Sequence, residues 1–285
     1  MKRLWILACI WLATPTAQAD VYFEEEMVNP GFGKSKAGAR TTVHSVYIKG
    51  KTQKVDARLI VDKKTEKALK DQGQPLRSST ILNLGKAEVF EIDLDAQTFV
   101  RTNVPPLKTG AAKTARQTTS ALPPKVAFAF KVPGDSSVVA AIPCKRVVAQ
   151  MRARYDAGKK SQRENRYTYD ACVAEKFPGW SELRAFQALQ DSTTSYPALI
   201  AGGMQQFSDK VQELDRLQDE LRAMEAELNG FALRSTLTAS AQQAGSKRWT
   251  EVFRLERQIN ILRHAPLPDS LFTVPKTLTQ VKASK

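Results

Sequence analysis

Histidine is nearly missing from this sequence, with two in 285 residues. His44 and His264 stand far apart and neither belongs to an H-x-x-x-H pair, so the pattern of a histidine-based metal centre is absent. Cysteine is almost as scarce, with three in all, too few for a zinc cluster once Cys9 is assigned to the leader described below. There is no C-x-x-C dithiol, no G-x-S-x-G nucleophile elbow and no glycine-rich phosphate loop ahead of a helix. Acidic residues are in deficit, 29 against 43 Lys and Arg, for a formal charge of +14. The triplet Glu24-Glu25-Glu26 alternates across a strand pattern, so its members cannot converge and it reads as a solvated face. No nucleophile–base constellation is left. The chain is expected to be non-enzymatic and to need neither cofactor nor metal.

What is present begins with a leader. Lys2 and Arg3 precede the apolar run Leu4–Leu12, and Ala17-Gln18-Ala19 forms a small-residue cleavage site before Asp20. The apolar run is about half the ~20 residues a spanning helix needs, which disfavours an uncleaved anchor. Leu7-Ala8 before Cys9 resembles a lipoprotein site, but too little apolar chain precedes it. Residues 1–19 are therefore expected to be a signal peptide, and the mature chain to be exported to the periplasm or beyond. No later segment is long and apolar enough to span a bilayer. Loss of Lys2 and Arg3 leaves a charge of about +12. Such a surface attracts anions over long range, and for an exported chain these are lipid head groups, lipopolysaccharide phosphates or cell-wall polymers rather than nucleic acid. The alternative is that the charge only keeps the protein soluble.

The stretch Ser79–Arg101, STILNLGKAEVFEIDLDAQTFVR, organises the chain. Leu82 and Leu84, then Phe90, Ile92 and Leu94 alternate with polar neighbours, and Phe99 and Arg101 follow, as in half-buried antiparallel strands. Leu84-Gly85-Lys86 and Asp95-Ala96-Gln97 supply the reversals. Asp20–Asp62 reads as further strands, Lys63–Leu76 as a loop with at most one helical turn. From Thr102 to Lys125 the chain is basic and proline-rich, with no acidic residue, and reads as a surface loop. Strands resume at KVAFAFKV and run through SVVAAIPCKRVVAQMRARYD.

Only Cys144 and Cys172 survive cleavage, and in an oxidising compartment a lone pair suggests one disulfide. A hairpin of Cys144–Tyr155 with Asn165–Cys172 sets Cys144 opposite Cys172, Arg146 opposite Asp170 and Arg152 opposite Glu164. The other face then pairs Val147 with Tyr169 and Ala149 with Tyr167, so one register joins charge pairs, an apolar face and the bond.

Beyond Phe177 the period changes. Leu183, Phe186 and Leu189 predict a short helix capped by Ser181. Phe207, Val211, Leu214, Leu217, Leu221, Met224 and Leu228 predict a longer one over 204–228, ending at Asn229-Gly230. That helix has seven acidic and three basic residues; a coiled-coil seam and a lid over the sheet are the two readings, the lid preferred. Two strands, GFALRSTLTAS and RWTEVFRLERQINI, and an extended tail close the chain. The aromatics Phe90, Phe99, Tyr167 and Tyr169 suit either a cavity lining or ordinary core.

The runs YIKGKTQKVD, STILNLGKAEVFEIDLDAQTFV, AIPCKRVV, YDACVAEKFPGWSELRAF and DSLFTVP, in this order from Tyr47 to Pro275, resemble an exported bacterial family known as domain of unknown function 4412. Its members look like the lipoprotein carrier LolA. The chain departs from that pattern in Cys172, which often is an aromatic, in its long basic loop and in its developed 204–228 helix. The resemblance implies an α+β fold: a strongly curved antiparallel half-barrel with helices on its concave side. It implies one domain over 20–285, with a basic loop at 102–125 and a helical lid at 181–229. On that fold a lipid or acyl chain is expected between sheet and helices, lined by Phe90, Ile92, Phe99, Val147, Tyr167, Tyr169, Phe186, Leu214 and Leu221. The competing expectation is a structural or interaction protein of the envelope with a filled core, contacting an envelope partner.

Overall fold

A computed structural model describes residues 20–31, 39–104, 125–155, 163–194, 213–242, 246 and 248–282. The leader, residues 105–124 of the basic loop expected at 102–125 and residues 204–212 of the expected long helix lie outside the described residues, while the ends of that loop, Thr102-Asn103 and Lys125, belong to strands. The fold is α+β and dominated by one sheet. Strands β1 (Asp20–Asn29), β2 (Arg40–Lys49), β3 (Thr52–Ile60), β4 (Arg77–Asn83), β5 (Glu88–Asp93) and β6 (Thr98–Asn103) form an antiparallel meander. A second antiparallel run joins β7 (Lys125–Lys131), β9 (Ile142–Tyr155), β10 (Arg163–Ala174), β11 (Phe231–Gln242) and β12 (Trp249–Ala265), with β8 (Ser136–Val139) also paired to β9. The two runs meet where β1 pairs with β12. A short β13 (Thr279–Gln280) adds a parallel edge to β6. The sheet does not close on itself.

The organising stretch folds as its alternation predicts. Its two turns are fixed by side chains: Asn83 Oδ1 accepts from the Lys86 amide, and Asp93 Oδ1 accepts from the amides of Asp95 and Ala96. Elsewhere the structure differs. The run SVVAAIPC breaks at Ala140-Ala141, both left-handed (φ 49° and 63°), which separates β8 from β9. Alanine carries no turn signal, so the break is silent in the sequence. Residues Lys63–Asp71 form a helix, α1, where a loop was expected. Asp62 caps it by accepting from the Lys64 and Thr65 amides, and Glu66 pairs with Lys70 one turn on. None of its residues is buried, so it lacks the apolar stripe that would have marked it.

The β9–β10 hairpin forms, but its register is two residues from the expected one. Cys172 opposes Arg146, Tyr169 opposes Ala149, Tyr167 opposes Met151 and Glu164 opposes Arg154. A slip of two preserves the face of every side chain, so the alternation satisfies both registers equally. Charge complementarity also survives the slip. Arg146 reaches Asp170 diagonally (Nη2–Oδ2 2.6 Å), and Glu164 takes Arg154 in place of Arg152 (3.7 Å). Cys144 and Cys172 bond across the diagonal with their Cα atoms 5.3 Å apart.

Helix α2 (Trp180–Thr193) starts one residue before the expected cap. Its N-cap is Gly179, left-handed at φ 86° with no side-chain bond, while the Ser181 hydroxyl donates to Glu182. The described part of the second long helix is α3 (Leu214–Glu227). Asn229 then turns left-handed and the Gly230 amide returns to the Glu225 carbonyl. Two apolar clusters lie against the sheet. One gathers Leu183 and Phe186 of α2 with Val21, Phe23, Val46, Ile48, Val55 and Phe231; the other gathers Leu217, Leu221 and Met224 of α3 with Met27, Val147, Tyr167, Tyr169, Leu237 and Leu255. At the end of β10 the consecutive residues Ala171–Ala174 are all buried, divided between the two clusters.

Candidate functional site

The seam between the two runs of strands carries a buried ion pair. Met27 of β1 is opposite Arg257 of β12, Arg257 is opposite Ser235 of β11, and Ser235 is opposite Ala171 of β10. Opposed residues project to the same face, so the four form one row beneath the helices. Near this row the β1–β12 ladder slips between Glu24 and Glu25, leaving Asn260 without an opposite number; such bulges re-aim neighbouring side chains. Arg257 Nε donates to Glu25 Oε2 at 2.6 Å, and Nη1 donates to the Ala232 carbonyl at 2.8 Å. The other Glu25 oxygen is 3.1 Å from His44 Nδ1, and His44 is opposite Glu25 on β2. Glu25 is 1% exposed and Arg257 6%. Glu25 is thus no part of a solvated face. Alternation does hold its two neighbours away from it, but it turns Glu25 inward, toward a cation 232 residues later in the chain.

Burial would raise the Glu25 carboxyl, yet the Arg257 charge and the hydrogen bond from His44 outweigh it and bring it to about 2. The same balance, with burial opposing and Glu25 prevailing, keeps Arg257 charged. A second carboxyl nearby, Glu225 of α3, goes the other way: burial pushes it up, and Arg257 and Tyr169 only partly offset this. The Tyr169 hydroxyl donates to Glu225 Oε1 at 3.4 Å, and burial followed by the Glu225 charge raises its own pKa.

Over this polar floor lies a cavity of about 260 Å³ between α2, α3 and the sheet. Met27, Leu221, Leu237 and Leu255 form its apolar walls, Tyr169, Glu225, Ser235 and Arg257 its polar part, and Arg184 of α2 and Arg222 of α3 bring two further cations. Of the residues expected to line a ligand cavity, Tyr169 and Leu221 do so. Val147 and Tyr167 are buried in the same cluster beside it, and Phe186 is buried in the other cluster, under α2. The side chain of Leu214 lies outside the described residues.

Phe90, Ile92 and Phe99 are placed on the opposite face of the sheet. Phe99 is opposite Ile92, Ile92 opposite Ser79, Ser79 opposite Asp56, Asp56 opposite Ser45 and Ser45 opposite Glu24. Glu24 points away from its neighbour Glu25, so this row faces away from the helices, and Phe90 shares its side two residues from Ile92. There Thr273 and Pro275 of the C-terminal tail line a groove together with Ile92. A period of two divides a strand into faces but does not say which face the helices cover.

Another buried carboxyl, Glu213, stands at the start of α3. Its Oε2 accepts from the Tyr167 hydroxyl at 2.5 Å and lies 3.5 Å from Asn165 Nδ2. Its Oε1 and Asn165 Oδ1 have no partner among the described residues. Burial raises the Glu213 carboxyl to about 7. Searched against protein-family models and against curated proteins, the chain matches none.

Proposed function

We propose that this chain is an exported, non-enzymatic envelope protein that holds a lipid or acyl chain between its sheet and helices, on a curved half-barrel of the LolA type. The observation that carries this reading is the 260 Å³ cavity walled by Met27, Leu221, Leu237 and Leu255. Its volume is just under the ~300–1,000 Å³ of common small-molecule pockets, which suits one acyl chain better than several. Each methylene taken from water contributes about 0.8 kcal/mol, so binding asks for no reaction. The Cys144–Cys172 bond is consistent with an oxidising compartment, and a charge of about +12 without the leader favours anionic envelope surfaces as partners.

Native mass spectrometry of gently purified protein tests the reading, together with titration by a fluorescent fatty acid. Co-purified lipid and saturable binding support it. Ala188 and Ala226 line the cavity and are exposed, so Ala226→Trp should fill the space without disturbing the core. Binding weakened at least tenfold at unchanged melting temperature is expected. The second reading, an interaction protein with a filled core, draws on the small volume, and a lipid-free protein that binds no fatty acid would favour it.

A further inference from the structure

We infer that the sheet face turned away from the helices, where β7, β9 and β10 meet, docks on an anionic phospholipid bilayer through Arg152 and Arg166. Phe128, Met151 and Tyr167 are opposed across these three strands and pack in the cluster beneath α3, so the residues between them face the other way. That outer face carries six cations, Lys125, Lys131, Arg146, Arg152, Arg154 and Arg166, against two carboxylates, Glu164 and Asp170. Both carboxylates are committed, Asp170 to Arg146 at 2.6 Å and Glu164 to Arg154 at 3.7 Å. Arg152 and Arg166 are directly opposed, and like charges so placed cost a sheet stability. Neither has a carboxylate partner among the described residues. Arg152 donates to Gln150, and the Arg166 guanidinium lies 4.3 Å from the Trp249 ring centroid.

Phosphodiester oxygens supply what this pair lacks. A guanidinium stacked on an aromatic ring keeps its edge donors for phosphate, and an anion lying over both arginines offsets their repulsion. The cations are spread rather than gathered. Lys125 and Lys131 stand at opposite ends of β7, about 20 Å apart at the rise of a strand. That span matches a field of lipid head groups and exceeds one bound anion. Trp249 adds an aromatic of the kind that favours the membrane–water interface; it is half-buried and opposed to Gln242, in the row of Glu164 and Arg154. Toward β12 the excess ends, because Arg254 is matched by Glu251 and Glu256. The cavity lies on the other face, under the helices, so docking and cavity filling are separate events.

Vesicle flotation of the whole protein tests this, with phosphatidylcholine vesicles and with vesicles that are one-third phosphatidylglycerol. The anionic vesicles should bind at least tenfold tighter than the neutral ones, and less tightly as salt rises. Arg152→Gln combined with Arg166→Gln should weaken that binding about 25-fold, near fivefold for each cation at a membrane surface. Lys63→Gln with Lys67→Gln removes the same charge from α1, outside this face, and should weaken it less than threefold. An equal loss in the two double variants overturns this face as the contact. Wild-type protein that binds both kinds of vesicle alike, or neither, overturns docking whether or not the variants fold. Binding to long-chain polyphosphate without binding to anionic vesicles overturns the bilayer as partner in favour of a soluble polymer. Each of these outcomes leaves the fatty-acid reading of the cavity standing.

Discussion

Arg257 and Glu25 show how the energy of a single residue depends on its partner. Glu25→Gln leaves a buried guanidinium with its charge uncompensated, and such changes cost roughly 3–5 kcal/mol; urea unfolding monitored by Trp fluorescence should show a loss of that size. The ion pair also has a pH signature. Glu25 has a folded pKa of about 2 against 4.5, so its contribution is complete above pH 4.5 and lost as the pH falls toward 2. Glu213 has the opposite sign. Raised to about 7, it favours folding below its unfolded value, and that contribution is lost as the pH rises through 7. Glu213→Gln keeps an acceptor for the Tyr167 hydroxyl, and it should leave stability at pH 4, below the unfolded value of 4.5, unchanged. At pH 8 it should stabilise by roughly 1–2 kcal/mol once solvent screening is allowed for. Denaturant midpoints at both pH values check this, and an equal effect at the two would refute the titration. Neither group was legible from sequence. An isolated acidic triplet and an arginine far along the chain offer no pattern until the sheet order makes them neighbours.

Elements were legible where their own period decided the matter. The meander β1–β6 follows its alternation, and α2 and α3 follow their apolar stripes, because local chemistry sets these. Register, turns and faces depended on partners. The β9–β10 slip left every face in place, so alternation had no means to exclude it. The Ala140-Ala141 turn depends on backbone angles that alanine adopts only at a cost of about 1–2 kcal/mol per residue. Replacing the pair by Asn-Gly, the residues preferred in such two-residue turns, should raise the melting temperature, with a gain of about 1 kcal/mol; an unchanged or lower value would mean that the turn is not left-handed in solution. Gly179 is the converse case. It is left-handed at φ 86°, and a Cβ there would come within 2.7 Å of Val21 Cγ2. Gly179→Ala should therefore destabilise the packing of α2 on β1, seen as faster amide exchange in α2.

At the scale of the whole molecule, one disulfide and one seam hold the sheet together. Cys144→Ser with Cys172→Ser opens a loop of sequence separation 28 and should cost about 2–4 kcal/mol, measurable by the shift in urea midpoint of the double variant. The seam has a temporal consequence. Its strands, β1 and β12, are paired between residues as far apart as Asp20 and Ala265, so nearly the whole polypeptide must be available before they can meet. Non-local pairing of this kind is slow. Each run of strands can assemble first, and the rate of refolding should be governed by their union. The cavity between sheet and helices straddles that union, taking Met27 from one side and Leu255 and Arg257 from the other. A half-assembled chain therefore has no such cavity, and the fatty-acid binding proposed above should emerge only in the last and slowest phase of folding.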